Sequence, residues 1–92
     1  MLDFEKAKSM IAKIAGCEAT DVTIGFTHRT YDITFGGDVE LGSKAKGGQP
    51  AGIAEAHEIV RVLGEAVQRT IEFWTWDSKS VTIVFGINQK EN

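Results

Sequence analysis

Two lysines in a glycine-rich run are the first residues of this chain whose type and spacing could do chemistry. Residues 42–49 read G-S-K-A-K-G-G-Q, so Lys44 and Lys46 stand just ahead of Pro50 and the helical pattern that follows it. Free N–H groups at a helix start favour anions, and a lysine pair there would add charge. A phosphate-cradling loop, however, ends in G-K-[ST], and this run does not. Its three glycines and lack of any apolar anchor describe a mobile polar connector, with Lys44 and Lys46 kept as candidate ligand-binding residues.

The tryptophans offer different chemistry. Trp74 and Trp76 alternate along one strand pattern, where they either fill a core or line an apolar pocket between sheet and helices. His28 stands beside Arg29 at a predicted hairpin tip and His57 at the edge of a helical apolar stripe. Neither has the neighbouring Cys, His or carboxylate spacing that a transition-metal site needs. No serine occupies a glycine elbow. Cys17, the single cysteine, reads as a small buried side chain just past a helix end, because a reactive thiol needs surroundings that lower its pKa. The expectation is therefore a non-enzymatic protein without cofactor or metal.

Composition narrows the partners. The 92 residues carry 10 Lys and Arg against 13 Asp and Glu, a net charge of −3, which disfavours a phosphate backbone as partner. One cysteine permits no internal disulfide, and the charged first eight residues lack a secretory apolar core, so the cytoplasm is the expected location. No apolar run approaches the 18 or so residues of a membrane span. The length suits a single domain.

The elements that must position these residues follow from periodicity. Phe4, Ala7, Met10, Ile11 and Ile14 share one face of a helix over residues 3–15, capped by Asp3 and ended by Gly16. Val22, Ile24 and Phe26 then alternate with Thr23, Gly25 and Thr27, and Tyr31, Ile33 and Phe35 return on the same side. Gly36-Gly37 suits a type I′ turn into a short third strand at residues 38–41. After the loop, Ile53, Ala56, Ile59, Val60 and Leu63 form a second helical stripe that starts at Pro50 and stops at Gly64. Carrying that helix on to Trp76 would make it about 40 Å long, against a radius of gyration near 12 Å for a chain of this size. The β-branched and aromatic run 70–76 is therefore a strand. Asp77 starts a type I turn into a last strand at residues 81–87.

The order is α-β-β-β-α-β-β, an α+β domain with an antiparallel sheet of about five strands under two helices. Its first part, residues 3–63 read as α-β-β-β-α with lysines ahead of the second helix, resembles a double-stranded RNA-binding domain. That resemblance would imply RNA binding through lysines on the helix itself. Here Gly47 to Pro50 intervene, and the helix carries Glu55 and Glu58 instead.

The chain also resembles itself. Residues 24–36 align without a gap on residues 74–86 at an offset of 50, placing Arg29 on Lys79, Ile33 on Ile83 and Phe35 on Phe85. The helices align at an offset of 49, so residues 1–41 and 50–88 read as half-repeats of a helix-hairpin unit. The halves differ on the face away from the helices. Thr23, Gly25, Thr27, Asp32 and Thr34 give the first hairpin a solvent face, whereas Ile71, Phe73 and Val84 give the second an apolar patch. Such patches mark interfaces. Self-association through Ile71, Phe73 and Val84, as a homodimer, is the leading expectation, with a small-molecule pocket under the tryptophans as the alternative.

Overall fold

A computed structural model describes residues 3–42 and 51–89. Helix α1 spans Phe4–Ala15, with the Asp3 side chain accepting a hydrogen bond from the Lys6 N–H and Gly16 closing it in the left-handed region at φ 80°. A 3-10 turn, Ala19–Asp21, leads into β1 (Val22–Thr27) and β2 (Thr30–Phe35). Helix α2 covers Ala51–Val67, followed by β3 (Arg69–Asp77) and β4 (Ser80–Gln89). The four strands form one antiparallel sheet in the order β1-β2-β4-β3.

The helices lie on one face of the sheet, where Ala7 and Ile11 of α1 and Ala56, Ile59 and Leu63 of α2 meet Val22, Ile33, Phe35, Val81, Ile83 and Phe85. All of these side chains are buried, and burying a side chain of Val, Leu, Ile or Phe size contributes about 1.5–3 kcal/mol. No helix among the described residues is long and apolar enough to cross a membrane.

The second hairpin has the register expected from its turn: Trp76 opposite Val81, Trp74 opposite Ile83 and Phe73 opposite Val84. Asp77 fixes it by accepting from the Lys79 N–H at 2.8 Å and from the Ser80 hydroxyl at 3.2 Å. The first hairpin closes through His28 and Arg29, with His28 at φ 56°, a region His tolerates better than most residues.

The self-similarity of the sequence is a pseudo-twofold of the sheet. Adding 50 to a β2 residue and subtracting 50 from its β4 partner turns the pair Thr30–Val84 into Thr34–Ser80 and Tyr31–Ile83 into Ile33–Val81. The pair Asp32–Thr82 maps onto itself and marks the axis, where the Thr82 hydroxyl donates to Asp32 Oδ1 at 2.8 Å. The same exchange relates two flanking bonds, Phe85 N–H to the Arg29 carbonyl and Phe35 N–H to the Lys79 carbonyl.

Three expectations are corrected. Residues 38–41 are not a strand, so among the described residues the sheet has four strands and not about five, and the order α-β-β-β-α of an RNA-binding domain is not met. That segment is held instead by side chain and turn. Lys79 Nζ donates to the carbonyls of Gly37 and Val39, both at 2.9 Å, and Leu41 N–H donates to the Ser78 carbonyl. Gly36-Gly37 is likewise no type I′ turn, since only Gly37 has positive φ.

Gly64 is not a helix stop either. Helix α2 continues through it to Val67 and ends at Gln68, which takes φ 62° and donates from Nε2 to the Glu65 carbonyl. Gly64 serves close packing, because a Cβ there would lie 3.2 Å from Ile71 Cδ1.

Candidate interaction surface

The sheet face away from the helices is built from three rows of side chains that cross all four strands. The register places Thr27, Thr30, Val84 and Phe73 in one row, Gly25, Asp32, Thr82 and Thr75 in the next, and Thr23, Thr34, Ser80 and Asp77 in the third. Threonine dominates because a β-branched hydroxyl side chain suits a pleated, half-exposed strand. No described residue of another element covers these rows, and Phe73 is 55 % exposed.

Charge is scarce on this face. Within the three rows the ionisable side chains are Asp32 and Asp77, and both carboxylates already accept hydrogen bonds, from Thr82 and from the Asp77 turn, while Glu72, paired with Arg29, lies beside Gly86 at the margin of the face. The Lys79 N–H, the closest donor to Asp77, holds that carboxyl below its usual range. Lysine, arginine and glutamate are absent from the three rows, although one residue in four of the chain is charged. Depletion of charge, more than bulk hydrophobicity, distinguishes the centre of a protein interface from ordinary surface.

The residues expected to act together are only partly together. Phe73 and Val84 are direct cross-strand neighbours on the open face. Ile71 is not with them: the ladder slips between Arg69 and Ile71 and again between Ile71 and Phe73, so Ile71 pairs with buried Phe85 and packs beneath α2 against Gly64. A β-bulge inserts one residue and reverses the alternation, which removes Ile71 from the patch.

Trp74 and Trp76 lie on the helix side. The Trp76 ring rests on Gly52, where a Cβ would come within 2.6 Å of Cη2, and Trp74 lies against His57 with ring centroids 6.1 Å apart. Both are partly buried against the core, in the position of packing groups. The described cavities open elsewhere. One of about 310 Å³ runs between the helices, lined by Met10, Ile14 and Val62 with Lys13, Glu58 and Arg61 at its margin. Lys44 and Lys46 lie outside the described residues.

Among the described residues no group of three or more His, Cys, Asp and Glu side chains is arranged to hold a metal ion. Burial, reinforced by the carboxylates of Asp21 and Glu18, pushes the Cys17 thiol above its ordinary pKa, away from the thiolate a nucleophile needs.

Two features escaped sequence reasoning. Arg29 donates to Glu72 at 2.9 Å and to the Phe85 carbonyl at 3.2 Å, tying the first hairpin tip to the bulged end of β3. The alignment of Arg29 on Lys79 carried that signal, since Lys79 ties the second tip to the segment after β2. Alternation puts Phe26 with the core set, yet it sits on the edge strand, 56 % exposed, with its ring 4.6 Å from Tyr31.

No protein-family model matches the chain, and no curated protein or solved structure is significantly similar to it.

Proposed function

We propose that this protein is a non-enzymatic interaction module that self-associates through the open face of its sheet. The observation that carries the reading is the row Thr27, Thr30, Val84 and Phe73 beside two further rows that hold five hydroxyl side chains, Gly25 and the hydrogen-bonded Asp32 and Asp77, all three rows free of lysine, arginine and glutamate. Two such faces pack at low desolvation cost, because threonine methyls and Phe73 contribute apolar area while the hydroxyls keep partners across the seam. A twofold contact is the simplest geometry, as it asks one patch to complement itself. A cytoplasmic setting belongs to the same proposal, resting on the single thiol, which forms no internal disulfide.

Phe73→Asp should lower the mass in solution while leaving the circular dichroism unchanged, since the side chain is exposed and its removal opens no cavity. A wild-type chain of single-copy mass across the concentration series, or an unchanged mass in the variant, would remove the proposal.

A further inference from the structure

The two edges of the sheet are guarded very differently. An exposed edge strand offers unpaired N–H and C=O groups to any other strand, and proteins blunt such edges with charges, prolines and bulges. β3 carries these devices: two register slips and the charged residues Arg69, Glu72 and Asp77. β1 carries none. Its sequence V-T-I-G-F-T has no charge and no proline, its ladder with β2 is uninterrupted, and no described residue pairs with its outer side.

Hydrogen-bond parity shows which groups β1 turns outward. Arg29 and Phe35, at the two ends of β2, bond to β4, so the odd-numbered positions of β2 serve β4 and Thr30, Asp32 and Thr34 serve β1. Their partners Thr27, Gly25 and Thr23 are thereby engaged, and the main-chain groups of Val22, Ile24 and Phe26 point away from the sheet.

The outward segment is self-complementary. Residues 23–27 read Thr-Ile-Gly-Phe-Thr, which has the same side-chain classes in both directions about Gly25. We infer that β1 pairs antiparallel with β1 of a second copy of this chain, residue i opposite residue 50 − i, to give one continuous eight-stranded sheet. Outward residues then meet outward residues, Ile24 against Phe26 twice, with roughly four main-chain hydrogen bonds. Both helix layers fall on the same side, because each pair joins residues of like parity. Each exposed Phe26 ring gains the partner's Ile24 beside it, an aromatic with β-branched pair of the kind that stabilises antiparallel strands, and the threonines pair across the opposite face. Gly25 sits on the axis with only the Asp32 carbonyl, 3.9 Å away, near the place of a Cβ, so the backbones can approach closely.

This contact is separate from the open face and does not depend on it. Its twofold stands perpendicular to the sheet, so both contacts can be made at once, in a dimer of dimers. A five-residue edge is a small interface, and its occupancy should rise within the micromolar to millimolar range.

Amide exchange on the wild-type chain tests it directly. Ile24 and Phe26 amides should be protected at high concentration, should exchange rapidly on dilution, and should stay protected in Phe73→Asp, whereas Phe26→Lys should expose Ile24 at every concentration. By sedimentation, Phe73→Asp should retain the mass of two copies and Phe73→Asp with Phe26→Lys the mass of one. Rapid exchange of both amides at all concentrations, or protection that neither dilution nor Phe26→Lys removes, would overturn the edge contact. The face contact fails on a different result, an unchanged mass in Phe73→Asp, and the readout on the unaltered chain needs no substitution to fold.

Discussion

Single residues in this protein act through what they let neighbours do. Gly52 is the clearest case, because its missing side chain is the space that the Trp76 ring occupies. Gly52→Ala places a methyl 2.6–2.7 Å from two ring carbons and 3.4 Å from the Leu41 carbonyl, so the indole must move. The expected cost is about 1–3 kcal/mol from overpacking, only partly offset by the better helix propensity of alanine. Urea denaturation followed by tryptophan fluorescence would measure it, and a neutral or stabilising outcome would show that the ring shifts freely. Asp77 acts through charge. Its depressed pKa means that its carboxylate is favoured in the folded hairpin, so its contribution is complete at neutral pH and is lost as pH falls through the lowered folded value. A carboxyl titration by NMR should find Asp77 below the usual carboxylate range, and Asp77→Asn, which keeps the acceptor oxygen, should remove that acid-linked loss. A titration at the usual carboxylate value would contradict the turn geometry.

Elements were legible where local chemistry sets them and obscure where tertiary contact does. The cap at Asp3, the left-handed Gly16 and the Asp77 turn all act through bonds within a few residues, and the register of the second hairpin followed from that turn. The bulges around Ile71 leave no trace in the alternation of residues 69–73, and they moved Ile71 from the open face to the helix side. The end of α2 was obscured in another way. Gly64 has the residue type of a stop but the role of a spacer against Ile71, while the true stop, Gln68, sits at φ 62° without being a glycine. Gln68→Gly should therefore be neutral or stabilising by up to about 1 kcal/mol, through relief of left-handed strain offset by loss of one exposed hydrogen bond. Gly16→Ala should cost about 1 kcal/mol, as it imposes the same strain on α1. Thermal unfolding of both variants gives the comparison, and a destabilised Gln68→Gly would mean that its side-chain bond outweighs the backbone term. The strand expected at residues 38–41 rests on Gly36-Gly37 as a hairpin turn, and only Gly37 takes positive φ. Lys79 claims the segment's carbonyls instead, from 40 and 42 residues away.

At the scale of the whole molecule, a pseudo-twofold sheet has one face sealed by helices and one left to hydroxyl side chains and Phe73. The sealed face was written plainly in the sequence, since apolar period alone selects it. The open face was legible in outline, through threonines that share a parity, but its loss of Ile71 and the exposure of Phe26 at the edge required the strand order β1-β2-β4-β3. That order puts the smooth strand of the first hairpin and the bulged strand of the second at opposite edges, and it leaves Phe73 beside Val84 near the bulged one. We propose that the open face joins two copies of the chain. Sedimentation of the wild-type protein beside Phe73→Asp tests it most directly. The substitution should halve the mass of the assembly without loss of secondary structure, and the same mass for both proteins would rule out the face-to-face contact.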